Sequence, residues 1–229
     1  MTMTALEFAR GPALYASLTV FVAGTLWRLA GILRRPRLPD RSPPREHALS
    51  KLSGALQAIV RGMWPRRAFG HATAAAVLNG YAFHIGLALV FFGYAPHIAF
   101  IRRLTGVGWP ALPDPVMYLA AAVSIIALLV ALAMRITDPV RRAISGADDA
   151  ITWTLTFLPL FTGMAVAGEP SAAILARHAV PYPGPLAVHL LSLELLLIWF
   201  PFGKLMHAVL FVFSRGATGM RFSHRGVQA

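Results

Sequence analysis

Five apolar runs in this sequence are each long enough to cross a lipid bilayer as a helix, which takes roughly 20 residues. They cover about Pro12–Leu33, Thr73–Ile101, Val116–Met134, Ala150–Ala167 and Pro185–Ser214. In hydrocarbon every backbone N–H and C=O must find a partner within the protein, so only helices and closed barrels span. These runs are continuous rather than alternating, which excludes the barrel. The expected fold is all-α: a polytopic membrane protein, five transmembrane helices in one bundle, a single domain over residues 1–229. Charge agrees. Only 13% of residues are charged, against about 25% in soluble domains. The first run resembles a signal peptide in length, but one Arg precedes it while Arg34 and Arg35 follow. That is the wrong flank, and a retained helix is expected.

Basic residues assign the sides. The loops Arg34–Gly70 and Arg135–Ala147, the tail after Ser214, and Arg28 and Lys204 at helix ends hold 17 of the 21 Lys and Arg. Arg10, Arg102, Arg103 and Arg177 lie on the other side. The N-terminus is therefore expected outside and the C-terminus in the cytoplasm. The formal net charge of +12 follows from these loops, and no nucleic-acid partner is expected. Within the basic cytoplasmic loop, Leu49, Leu52, Leu56, Ile59, Val60 and Met63 recur at helical spacing. An amphipathic helix is expected over His47–Trp64, lying on the membrane surface, packing on its own chain or offering a docking surface to a partner. There is no cysteine. That rules out disulfides, Fe–S clusters and covalent c-type haem within this chain, so an Fe–S partner must be another subunit.

The last run carries His189 and His207, eighteen positions apart. In one unbroken helix that spacing is five whole turns, so both rings share a face and lie roughly 27 Å apart. A polar ring in lipid is costly and points to function, and neutral imidazole is an axial ligand of haem iron. Two haems stacked across the membrane would use two such rings. His84 lies inside the second run. His97 lies nearer its outer end, with an angular offset of about 220° and a rise of about 20 Å in a continuous helix. Matching depth across antiparallel helices pairs His97 with His189 and His84 with His207. Bis-histidine ligation leaves no open iron position, so each haem transfers electrons. Gly86 and Gly93 are candidates for close approach of a flat macrocycle. Zinc needs about four clustered ligands, which this spacing does not provide. Glu194 is a buried acid, either on a proton path or bonded to a neighbour. His47 and His224 read as surface residues, His71 as interfacial, and His178 as part of the outer loop.

Phe200–His207, FPFGKLMH, with His189 eighteen residues before its last residue, resembles the last helix of the respiratory nitrate reductase gamma subunit family, a membrane cytochrome b. FHIG, Phe83–Gly86, resembles the family's first ligand motif. Arg135, Thr137, Pro139, Val140 and Arg141, then Gly146, Ala147 and Asp148, resemble its third loop and the entry to its fourth helix. FVAGTLWRL in the first run is a looser match. The resemblance covers all five runs; the basic loop looks longer than in the family. It implies two haems b, a quinol site near the outer haem, and electron flow to a cytoplasmic Fe–S subunit and a separate catalytic subunit. It implies His84 and His207 as ligands of the inner haem and His189 as half of the outer pair. The family's second ligand in the second helix falls ten residues after the first, where this chain has Tyr94. His97 then takes that role, or the outer haem is lost or differently bound. Similar gamma-type cytochromes serve sulfur-cycle and heterodisulfide-reductase-like complexes.

The expectation is a di-haem cytochrome b subunit of a respiratory oxidoreductase in the inner membrane of a bacterium. Its metal ligands are His84, His97, His189 and His207. Arg135 and Lys204 are candidates for haem propionates, with topology anchoring as their other role. Arg102 and Arg103 are candidates for a quinone oxygen or an outer propionate. The substrate is menaquinone or ubiquinone, and the chain has no catalytic site beyond quinone chemistry. The alternatives are a haem-free membrane anchor and a proton-coupled transporter built on His and Glu194.

Overall fold

A computed structural model describes residues 3–36, 41–45, 50–64, 70–167 and 183–226. Every regular element among them is helical. They are α1 (Ala5–Leu33), α2 (Lys51–Arg61), α3 (Gly70–Gly93), α4 (Ala95–Thr105), α5 (Asp114–Thr137), α6 (Pro139–Ala143), α7 (Ala147–Val166), α8 (Pro183–Trp199) and α9 (His207–His224). Four helices are long and apolar enough to cross a membrane: α1, Thr73–Gly93 of α3, α5 and α7. The broken pair α8 and α9 makes a fifth if counted as one span. The protein is a multi-pass membrane protein.

α1 starts earlier than Pro12. Thr4 caps it: the Thr4 hydroxyl accepts from the Glu7 N–H, and the Glu7 carboxylate accepts from the Thr4 N–H at 2.8 Å. A π-helical turn over Ala9–Ala13 absorbs Pro12, whose ring removes one helical donor.

Two of the expected spans are interrupted, each at a proline. α3 ends at Gly93 instead of running to Ile101. Tyr94 is extended (φ −78°, ψ 127°) and Pro96 stands in the first turn of a separate helix, α4. Pro96 has no N–H to offer the Phe92 carbonyl, so the ladder of α3 cannot run through it, and proline is favoured at a helix start. The offset and rise from His84 to His97, which assumed one helix, therefore do not apply. The last run breaks the same way. Helix stops at Trp199, the chain turns through Phe200–Gly203, and a 3₁₀ turn over Lys204–Met206 leads into α9. Pro201 has no N–H to continue the ladder. The single-face argument for His189 and His207, and the rise of about 27 Å, fail with it.

The helices form two units, Met1–Phe21 with Ala75–Trp199, and Val22–Ala74 with Phe200–Ala229. The first is centred on α5, whose Met117, Ala120, Ala121, Ser124, Ala127 and Leu128 are buried. α3 approaches it closely: a Cβ on Gly86 would collide with Ser124 Oγ and lie 2.8 Å from the Ala120 carbonyl. A Cβ on Gly93 would lie 2.8 Å from Leu112 and Met117. Both glycines thus admit a neighbouring side chain, rather than the macrocycle expected of them. Polar side chains bond backbone carbonyls across helices, as membrane bundles use them. Asn79 Nδ2 donates to the Ala127 carbonyl (2.9 Å) and Trp153 Nε1 to the Leu128 carbonyl (2.9 Å). Trp199 Nε1 donates to Thr152 Oγ1 (3.0 Å), joining α8 to α7. The first unit is a bundle of α3, α5, α7 and α8, with the start of α1 against α8.

In the second unit α2 packs antiparallel on α9 through small residues. Gly54 and Ala58 meet Gly219 and Ser223, with Gly216 against Ala55 and Ile59. His224 Nε2 lies 2.8 Å from the Ser42 carbonyl, and the His224 carbonyl accepts from the Arg45 N–H. Of the three placements expected for the amphipathic helix, packing on its own chain is therefore present. His47 and His178 lie outside the described residues, and His71 falls in the first turn of α3.

Candidate functional site

The break after α3 builds half of the site. A helix end leaves carbonyls without intrahelical partners, and here three find them beyond the break. The Val90 carbonyl accepts from His97 Nδ1 (3.0 Å), Phe92 from Trp109 Nε1 (2.6 Å) and Gly93 from the Leu112 N–H (2.9 Å). A carbonyl only accepts, so His97 carries its proton on Nδ1 and its lone pair on Nε2. Tyr94 lies edge-on to the His97 ring, with centroids 5.3 Å apart. Tyr94 thus occupies the cap of α4 and braces the histidine three residues on.

α7 and α8 build the other half. The Thr162 hydroxyl donates to the Leu158 carbonyl (2.7 Å) and lies 3.1 Å from Ser192 Oγ. Ser192 in turn donates to the His189 carbonyl (2.7 Å). His189 Nδ1 lies 3.3 Å from Thr162 Oγ1. That hydroxyl spends its proton on the Leu158 carbonyl, so it accepts from Nδ1, which is the protonated nitrogen here too. Gly163 makes the room: a Cβ there would lie 3.0 Å from His189 Cε1.

These halves bring His97 and His189 together. Their rings are within 12° of parallel, with centroids 6.3 Å apart. Two imidazoles that each place a nitrogen about 2 Å from a shared first-row ion hold their centroids roughly 6 Å apart. With Nδ1 of His97 on a carbonyl and Nδ1 of His189 on the Thr162 hydroxyl, each ring keeps its lone pair on Nε2, as a metal-bound imidazole with an outer partner does. The separation of the pair suits two imidazoles on one iron. Among the described residues no three His, Asp or Glu side chains gather around one point as a metal site would require. Haem iron takes its remaining ligands from the macrocycle, so two histidines suffice.

His84 sits in α3, exposed, with Nδ1 on the Gly80 carbonyl (2.7 Å) and its ring edge-on to Phe83. His207 opens α9 in the second unit, exposed, with Nδ1 on the Lys204 carbonyl (2.9 Å). All four candidate ligands thus share one tautomer. Lys204 is exposed in the 3₁₀ turn. Arg135 pairs with the buried Asp149 (2.9 Å) and donates to Ser145 Oγ (2.8 Å), which ties α5 to the start of α7. Arg102 and Arg103 lie exposed in the last turn of α4. Glu194 is buried in α8, and among the described residues neither carboxylate oxygen has a hydrogen-bond partner.

Sequence reasoning did not pick out Thr162, Gly163, Ser192 or Asp149. A Thr–Gly step three residues after Pro159, inside an apolar run, is the available signal for the first two.

No family model and no solved structure matches the chain. A protein of Nitratidesulfovibrio vulgaris (strain Hildenborough) is 32% identical over 220 residues, which span 94% of this chain and 92% of that protein.

Proposed function

We propose that this chain, which belongs to the same family as the Nitratidesulfovibrio vulgaris protein, is a di-haem cytochrome b subunit of a membrane oxidoreductase. In this reading it resembles the gamma subunit of respiratory nitrate reductases. It sits in the inner membrane of a bacterium with its N-terminus outside, as the distribution of Arg and Lys supports. It exchanges electrons between quinone and a cytoplasmic Fe–S subunit, which serves a further catalytic subunit. The observation that carries the reading is the His97–His189 pair, parallel and 6.3 Å apart between centroids. His97 and His189 would hold one haem b, and His84 and His207 the other.

Haem supplies reversible one-electron transfer when bound. The chain's own residues orient and insulate. The Val90 carbonyl and the Thr162 hydroxyl would hold the Nδ1 protons and leave Nε2 as the ligating atom. Thr162 and Ser192 lock the His189 turn of α8 against α7. Lys204 would supply a counter-charge for a carboxylate, while Arg135 is engaged with Asp149 and Ser145.

The test is the visible spectrum of the purified full chain. A reduced b-type spectrum with two haems per chain by pyridine haemochrome is expected. A folded chain with no chromophore would leave the haem-free anchor. The buried, unpartnered Glu194 favours one other reading, a proton-coupled transporter, which predicts proton movement without any haem.

Gly163 offers a sharper check. Gly163→Val puts a branched side chain where His189 Cε1 lies within 3.0 Å of the Cβ position. Overpacking of this kind costs about 1–3 kcal/mol unless the neighbour moves. The ring is what can move, so the variant is expected to lose one haem and keep the other.

A further inference from the structure

α2 and α9 pack the wrong way round for a helix pair surrounded by water. Ordinarily the large apolar side chains lie between the helices and small or polar ones face out. Here Gly54 and Ala58 face Gly219 and Ser223. Leu52, Leu56, Val60 and Met63 form a ridge on the opposite side of α2, each more than half exposed, and Trp64 extends it. At about 100° per residue these four fall within roughly 80° of arc, centred nearly opposite Gly54 and Ala58.

Charge is divided just as unevenly. The unit that contains α2 and α9 holds 14 of the 21 Lys and Arg but only 2 of the 9 Asp and Glu, so it carries the whole net charge of +12. The other unit has seven of each sign and is neutral. Lys51 and Arg61 bound α2, and Arg215, Arg221 and Arg225 line or follow α9.

We infer that α2 lies in the interface of the membrane the chain spans, with its Leu52–Met63 ridge among the acyl chains and the surrounding cations on anionic headgroups. An apolar ridge turned outward asks for an apolar medium, and a cationic surround asks for phosphate. An anionic leaflet supplies both at the depth such helices occupy, about 5–10 Å into the headgroup region. The helix would thereby fix the basic loop flat against the bilayer. The inference does not depend on the haem reading.

The absence of cysteine makes the test direct. Leu56→Cys, Val60→Cys and Gln57→Cys are each labelled with a nitroxide in the full chain. The labelled chains are placed in nanodiscs of phosphatidylcholine with or without phosphatidylglycerol. Power saturation then reads access to oxygen and to a water-soluble nickel chelate. With phosphatidylglycerol, positions 56 and 60 are expected to show several-fold lower nickel access than 57, with high oxygen access. Omitting the anionic lipid is expected to raise nickel access at both. Three results would each overturn the inference: nickel access at 56 and 60 equal to that at 57, protection of the ridge from oxygen as well, as a covering protein would give, or protection indifferent to phosphatidylglycerol.

Discussion

On the proposed reading of two haems b per chain, His97→Ala and His189→Ala are each expected to leave one. The two rings come from different helices, α4 and α8, and meet with a separation that suits one shared iron. Removal of either ligand leaves an iron held from one side only. Loss of the metal's outer partners alone costs typically 10–100-fold in affinity, so loss of the ligand itself costs more. His97 also donates to the Val90 carbonyl, which the Tyr94 N–H reaches only at 3.4 Å, and loss of such a hydrogen bond costs about 0.5–1.5 kcal/mol. His97→Gln separates the two effects, because its amide can still donate to that carbonyl but is a poor ligand. Haemochrome stoichiometry and a redox titration of each variant check the result. One midpoint should disappear, the same one for all three substitutions. If His97→Gln retains both haems while His189→Ala loses one, His97 acts only as a helix cap and Tyr94 returns as the residue to explain.

His84→Ala and His207→Ala are expected to remove the other haem, and His71→Ala neither. The carbonyls of Gly80 and Lys204 fix the same tautomer in both rings that the Val90 carbonyl and the Thr162 hydroxyl fix in the first pair. Loss of a single spectral component by both substitutions is a demanding outcome. Combination of His84→Ala with His189→Ala should give a chain without haem. If His71→Ala removes a component that His84→Ala spares, the inner pairing is wrong.

Hydropathy located the helices well because burial in lipid is a property of whole segments. α5 and α7 extend only about a turn beyond the apolar runs at one or both ends, as helices continue into the headgroup region. Hydropathy could not see Pro96 or Pro201, since a proline is apolar whether or not it breaks a helix. The spacing of His189 and His207 was informative only for a continuous helix, and Pro201 removes that premise. The break at Tyr94 works the other way. It frees His97 from the geometry of α3 and lets it turn back onto Val90 and face His189. Histidines stand out in an apolar run because their burial is costly. Gly163 and Thr162 do not, because small residues in membrane helices serve close packing everywhere. The partner of Arg135 was hidden for a similar reason: Asp148 and Asp149 are adjacent, and only the cap geometry of α7 selects the second.

The seam between α2 and α9 joins residues near the start of the chain to residues near its end, Gly54 to Gly219 and Arg45 to His224. Long-range pairings of this kind form late, because the loop must close before the contact repays it. During synthesis the glycine face of α2 waits, bare, until Gly216–Ser223 have left the ribosome. Helices that insert before then do so without this closure.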